Sequence, residues 1–381
     1  MRILHTSDWH FGKRFLETDM IPQQELFADW IADVVTAEKI DAVLVSGDVY
    51  DRANPKDNAV DLLDDVLHRI SAAGAAIVMI SGNHDSAERL HFGTRFMAGS
   101  GLHIRTERRD LSDIGGPVVL RDKDGTDVEI LPIPYLDPER IALPDGESKT
   151  HEAALRAAID LQIAQLKNPA LAIAMSHAFV VGGQESESER QLSIGGTGAV
   201  PASLFDAFGY VALGHLHRPQ EMGDGRLVYS GTPMAYSFSE EHDKSVRILT
   251  VEKGKVSSEI VPSTSGRAVI TIEGTMSDLL TSSAFASASD LFVRARVTDA
   301  NFQVGAMDRL RGRFPYILEM EQTSIAAQGQ IDAERLKELT RRSDEEVVDE
   351  YVKETWPEDF GAFETQFVKS AVKAAVTGED A

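Results

Sequence analysis

The sequence predicts a layered α/β domain with antiparallel additions, followed by a small α+β unit of βαβαβ order and a C-terminal helical tail. Three observations predict it. Short aliphatic runs alternate with helical patterns up to about residue 263. A Ser-Thr-Ser-Gly stretch at 263–266 then precedes a change in the order of elements. Finally, an apolar stripe at helical spacing follows an acidic run near the end of the chain.

The strand candidates come first. They are Ile3-Leu4, 42–45, 76–80, 171–175 and 210–213, continuous apolar runs of the kind found in strands covered on both faces. Between them, 23–38 and 57–73 place Leu26, Phe27, Trp30, Ile31 and Val34, then Val60, Leu63, Val66, Leu67 and Ile70, at the i, i+3, i+4 spacing of amphipathic helices. Runs at 226–229 and 246–249, with a Lys-Gly-Lys turn at 253–255, read as hairpin-like additions. After 266 the order is strand (269–272), helix (277–283), strand (291–297), helix (303–312) and strand (316–320), with a Ser/Ala-rich loop expected at 282–289. The expected domains are 1–263, 264–330 and 331–381. In the last, eight acids and one lysine at 343–359 precede Phe360, Phe363, Phe367, Val368, Ala371, Val372 and Ala375.

With 43% hydrophobic and 26% charged residues, the 381-residue chain can bury an ordinary core. It has no cysteine, which excludes disulfides, thiolate nucleophiles and cysteine-held zinc or iron–sulfur clusters. Any metal must sit on His, Asp, Glu or Asn. No apolar run reaches the roughly 18 residues of a membrane helix. The chain opens on a strand-like stretch with no charged leader, so a cytoplasmic protein with no membrane partner is expected. The net charge of −23 argues at first sight against nucleic acid, because phosphate binding goes with basic excess.

Five strand runs end alike, in a small residue and then a metal-ligand type. They lead to Asp8-Trp9-His10, Gly47-Asp48, Gly82-Asn83-His84-Asp85, Ser176-His177 and Gly214-His215-Leu216-His217. Carboxyl ends of strands are where ligands converge in an α/β sheet. Oxygen donors mixed with imidazoles suit Mn²⁺, Fe²⁺ or Zn²⁺. The set is too large for one ion, and two ions sharing a carboxylate can activate water and neutralise a phosphate. Taken singly, each residue has a bland alternative: Asp-x-His is common, His177 can be a buried strand-end histidine, and Asp51 and Asp85 can be turn residues. His215 and His217, two apart, point to one side if the segment is extended. At five strand ends in this order, the metal reading wins. His5, His68, His91, His103, His151 and His242 lack this setting and are read as structural.

These residues, in this order, resemble the signature of the calcineurin-like binuclear metallophosphoesterases. Residues 5–12 (His-Thr-Ser-Asp-Trp-His-Phe-Gly), 81–86, 214–220 and 229–233, with Tyr236-Ser237-Phe238-Ser239-Glu240, resemble more closely the SbcD family of bacterial nuclease subunits. The resemblance implies an αββα sandwich with a capping domain. It also implies two divalent ions, Mn²⁺ by expectation. Asp8, His10 and His217 would hold one; Asn83, His177 and His215 the other; Asp48 would bridge. His84 would be the catalytic general acid or transition-state donor. Asp51, Arg52 and Asp85 are candidates for touching the phosphate or bracing the ligands. Asp51 stands where archaeal relatives carry a phosphate-contacting His, so orienting Arg52 or a water is the alternative role. The implied activity is cleavage of DNA: exonuclease at double-stranded ends, endonuclease on single strands and hairpins. The implied partner is the SbcC coiled-coil ATPase, bound through the helix at 360–376, in a heterotetramer with a homodimer of this chain. That helix packing on the capping domain is the alternative.

Two other functions stay open: a phosphatase or phosphodiesterase for small molecules or phosphoproteins, and a scaffold without catalysis. The filled ligand set speaks against the scaffold, and the additional domains against the small-substrate enzyme. The acidity weakens as an objection once it is located, since the 343–359 run accounts for −7 of the −23. Lys13, Arg14, Arg52, Arg89 and Arg218 lie in or beside the metal motifs.

Overall fold

The computed structural model describes residues 1–122, 124–144, 146–189, 198–252, 255–301 and 303–323. The acidic run, the helix expected at 360–376 and the partner contact assigned to it lie outside the described residues.

The chain first lays down β1 (Arg2–Thr6), β2 (Ala42–Ser46), β3 (Ala76–Ile80) and β4 (Leu102–Arg105), paired in parallel in that order. Helices α1 (Ile21–Ala37) and α2 (Asp57–Ala72) are the crossovers after β1 and β2. Pro22 opens α1, and Asp57 and Arg69 complement the two ends of the α2 dipole. A second sheet follows: β5 (Val118–Arg121), β6 (Asp127–Ile133), β7 (Ile173–His177), β8 (Tyr210–Gly214), β9 (Gln220–Met222) and β10 (Leu227–Tyr229). Its order is β9-β10-β8-β7-β6-β5, with α3 (His151–Ile163) crossing from β6 to β7. Strands β11 (Ser245–Glu252) and β12 (Lys255–Pro262) return to the first sheet, β11 antiparallel to β1.

The two-residue period of a strand explains the layers. Ile3, Leu44, Val78 and Ile80 meet Ile130, Ile173, Met175 and Ala212 in one dry layer between the sheets. Their neighbours Leu4, Val43, Val45, Ile77 and Met79 face outward and pack with Phe27, Ile31, Val35, Leu63 and Val66 of α1 and α2. Leu131, Ile133 and Ala174 pack likewise with Ala154, Leu155 and Ile159 of α3. The result is helix, sheet, sheet, helix: the predicted αββα sandwich. Both faces of the strands are covered, so their sequences read as continuous apolar runs.

Beyond Pro262, β13 (Val269–Gly274), β14 (Phe292–Val297) and β15 (Ile317–Gln322) form a separate parallel sheet. Helices Met276–Thr281 and Ala306–Arg311 connect them over a core that includes Leu279, Val293, Ala295, Leu310 and Phe314. Val269 and Phe292 join the main core, Phe292 lying 5.8 Å from Phe15.

Local differences from the sequence reading have physical causes. The stretch read as a Ser/Ala-rich loop coils into 3₁₀ turns at Ser283–Asp290; the Ser282 hydroxyl accepts from the Ala284 N–H (3.3 Å), and the small side chains allow the tight winding. Strand β6 is hidden in the sequence by Pro132, which removes a ladder donor and demotes the strand signal. Helix α3 is hidden because Ala154 and Ala158 make up much of its buried face, too small to mark a strong apolar stripe.

Candidate metal centre

Strands β1, β2, β3, β7 and β8 carry their ends to one edge of the sandwich. Contacts between the sheets fix that edge. Ser46 Oγ donates to the Ala212 carbonyl (3.0 Å), His177 Nδ1 meets the Ser46 carbonyl (2.9 Å), and the His215 N–H donates to Asp8 Oδ1 (3.0 Å). The chain must turn sharply to aim side chains inward. Asp8, His10, Asp48 and His215 have φ of 55°, 47°, 48° and 104°, four of the six non-glycine residues with positive φ among the described residues. Left-handed backbone at such residues costs of order 1–3 kcal/mol each and gathers where side-chain aim matters. Two glycines permit the close approach. A Cβ on Gly47 would lie 2.4 Å from His177 Nδ1, and one on Gly82 2.1 Å from Asp48 Oδ1.

The ligand atoms converge. Asp8, His10 and His217 offer atoms within 4.8 Å of one another, and so do His10, Asp48 and His84, and Asp8, Asp48 and His177. His10 Nε2 lies 3.1 Å from His217 Nε2, and His177 Nε2 lies 2.9 Å from Asn83 Oδ1. Asp48 Oδ2 stands between the groups, 3.6 Å from His10 Nε2 and 3.5 Å from His177 Nε2. His215 and His217 meet different partners. The His215 backbone is left-handed, not extended, so its ring faces His177 (5.4 Å between centroids) while His217 faces His10 (5.1 Å).

Hydrogen bonding tests whether these residues fit a metal. A carbonyl can only accept, so the Ser46 carbonyl places the His177 proton on Nδ1 and leaves the Nε2 lone pair aimed at the Asn83 oxygen. The buried His10 Nδ1 has no hydrogen-bond partner among the described residues. Lone pairs facing one another in a dry site are costly unless a cation lies among them. Imidazole nitrogens with carboxylate and amide oxygens fit Mn²⁺, Fe²⁺ or Zn²⁺.

Electrostatics agree. Burial, and then the charge of Asp48, push the Asp8 carboxyl well above its usual range. Burial alone would raise Asp48 too, but the histidines around it, His177 first, hold it below. Burial lowers His10, His177 and His215, keeping the imidazoles neutral as ligands must be.

The remaining expected residues have distinct places. His84 Nδ1 meets the Asp51 carbonyl (2.7 Å), and its Nε2 lies 4.0 Å from Asp48 Oδ2. Asp51 Oδ1 accepts from Lys13 Nζ (2.9 Å), while Arg52 is exposed and reaches Asp51 Oδ2 at 3.4 Å. Asp85 accepts from the N–H groups of Gly82 (2.8 Å), Val49 (3.1 Å) and Tyr50 (2.9 Å), tying the Asn83 loop to the Asp48 loop. Burial, and then Asp48, push it up to about 7. Gln24, Ser188, Glu189, Glu240 and Lys244, none of them at a strand-end motif, also touch the site. Gln24 Nε2 donates to the His10 carbonyl (2.8 Å), and Glu189 accepts from the His217 N–H (2.6 Å). Only the Tyr236–Glu240 motif hints at any of them.

Residues 1–219 match the family model described as calcineurin-like phosphoesterase. The chain belongs to this family. Calcineurin-like phosphoesterases are metal-dependent phosphoester hydrolases that bind two divalent ions, and the His/Asp cluster is where this member can hold them. Solved structures with some similarity include the TT1561 protein of Thermus thermophilus, 12% identical with a TM-score of 0.38, over 68% of this chain and 98% of its own. A dimetal phosphatase from Danio rerio is 13% identical with a TM-score of 0.42, over 69% of this chain and 99% of its own. Among the described residues no helix is long and apolar enough to cross a membrane.

In this phosphoesterase, Gly82→Ala is expected to drive the new methyl into Asp48. Urea denaturation should show a loss of about 1–3 kcal/mol, and elemental analysis should show reduced metal. Wild-type stability with full metal content would mean the Asp48 loop has room the geometry denies.

Proposed function

We propose that the chain is an Mn²⁺-dependent DNA nuclease of the SbcD type, cutting duplex ends, hairpins and single strands together with a coiled-coil ATPase. Support comes first from the position of His84, whose ring lies 4.7 Å from that of His10 between centroids while its Nδ1 is held by the Asp51 carbonyl. The motifs at 5–12, 81–86, 214–220 and 229–240 support the nuclease reading over other phosphoesterases.

In this reading Asp8, His10 and His217 would hold one ion, Asn83, His177 and His215 would hold the other, and Asp48 would serve both. When bound, the ions neutralise the phosphate's non-bridging oxygens and activate water for in-line attack. His84 handles the other end of the reaction. The Asp51 carbonyl accepts from Nδ1–H, which leaves Nε2 as the atom that would hand a proton to the departing sugar oxygen. Lys13 neutralises Asp51 and keeps that carboxylate from repelling the substrate. Arg52, reaching into solvent, would meet the flanking DNA backbone.

Two copies pairing through one face belong to the same proposal. Phe92 and Phe96 are 84% and 89% exposed, and Phe92 lines a groove of about 460 Å³ together with Val60, Leu63, Leu67, Leu90 and Met97. A knob and a groove on the same face suit a twofold interface, in which each copy's phenylalanines enter the other's groove. Light scattering should find a dimer for wild type and a monomer for Phe92→Asp/Phe96→Asp. A wild-type monomer, or a variant that stays dimeric, contradicts this pairing.

The activity test uses a hairpin and a blocked-end duplex with Mn²⁺, with and without the ATPase. His84→Gln is expected to lower cleavage about 10²–10⁴-fold at unchanged metal content. Rapid turnover of bis-p-nitrophenyl phosphate with DNA left intact would favour a small-substrate phosphodiesterase instead.

A further inference from the structure

The face of His217 turned away from the other ligands meets a buried ion pair. Glu240 is 1% exposed. Its Oε1 lies 3.3 Å from His217 Nδ1 and accepts from the Ser188 hydroxyl, whose oxygen is itself 2.6 Å from that nitrogen. Its Oε2 accepts from Thr232 Oγ1 (3.0 Å) and from Lys244 Nζ. Lys244 Nζ also donates to Thr232 Oγ1 (2.7 Å) and lies 3.2 Å from His242 Nε2. Burying such a pair gains little stability, since desolvation offsets the attraction, and an apolar pair of similar volume often serves as well. Stability therefore does not account for it.

Its surroundings hold it in place. Gln24 Nε2 donates to Tyr236 Oη (3.0 Å), and Tyr236 Oη donates to the Trp9 carbonyl (2.5 Å), next to His10. Glu241 accepts from the Thr271 N–H (2.9 Å), and Phe238 packs 4.9 Å from Phe15. The segment 236–244 is thus braced on both sides of the ion pair.

We propose that Glu240 is a positioning residue of the metal centre, fixing the tautomer of His217 through Ser188. A carboxylate only accepts, so the Ser188 proton goes to Glu240 and the Ser188 oxygen faces His217 Nδ1 as an acceptor. The imidazole proton is then held on Nδ1, and Nε2 offers its lone pair beside His10. Lys244 anchors the carboxylate in this orientation. An amide in place of Glu240 can donate, which frees the Ser188 proton to turn toward Nδ1 and moves the imidazole proton to Nε2, where it blocks coordination. This rests on the reading of His217 as a metal ligand.

The test compares the full chain with Glu240→Gln and with Glu240→Gln/Lys244→Met, in which no unpaired buried lysine remains. In metal-free, ¹⁵N-histidine-labelled protein, the His217 signals are assigned by their loss in His217→Asn. Wild type should show the Nδ1–H tautomer; both variants should show Nε2–H or a mixture. Calorimetric titration with Mn²⁺ should show two ions in wild type and one of them held 10–100-fold more weakly in both variants. The double variant should melt like wild type. The proposal fails if both variants keep the Nδ1–H tautomer and wild-type affinity, or if the double variant recovers affinity together with stability. A wild type that binds no Mn²⁺ overturns the reading of the centre, and this proposal with it.

Discussion

One carboxylate, Asp48, has to stand between histidines delivered by two different sheets. It is 2% exposed, and its Oδ2 lies within 4 Å of His10, His84 and His177. His10 and His84 come from loops of the first sheet and His177 from the end of a strand in the second. The sheets must therefore stack with their carboxyl edges in register, which the dry layer around Leu44, Val78, Ile130 and Met175 enforces. The loops must then approach within van der Waals contact, which Gly47 and Gly82 permit. Left-handed backbone at Asp8, His10 and Asp48 completes the aim, at a local cost borne by the rest of the fold.

The sandwich was legible because strands buried on both faces leave apolar runs that are hard to mistake. The candidate ligand positions stood out because they follow those runs directly, at Asp8, Asp48, Asn83, His177 and His215. Helix α3 and strand β6 were less so, since an alanine face and Pro132 blur their periodicity. The direction of His215 could not be read from spacing, because an extended segment and one with φ of 104° share the same sequence. The braces were the least visible. Ser188, Glu240 and Lys244 are common polar types, and nothing local marks them as neighbours of the centre; only the folded chain brings them together beside His217.

The acidity of the chain takes on a different meaning once the site is in view. Asp8, Asp48, Asp85 and Glu240 all count toward −23, yet each is enclosed by donors or metal-ligand groups, so none presents a bare negative charge to solvent. Eight of the acids fall in the 343–359 run, away from the metal motifs in sequence. Lys13, Arg52 and Lys244 are among the cations beside the candidate ligands. In the proposed complex, grip on a long nucleic acid would then fall to the ATPase partner.

The central claim is that Asp48 serves two ions at once. Anomalous diffraction from crystals grown with Mn²⁺ tests it most directly. Two peaks are predicted on either side of Asp48, one among Asp8, His10 and His217 and the other among Asn83, His177 and His215. A single peak, or a pair that leaves Asp48 outside the coordination of either ion, would contradict it.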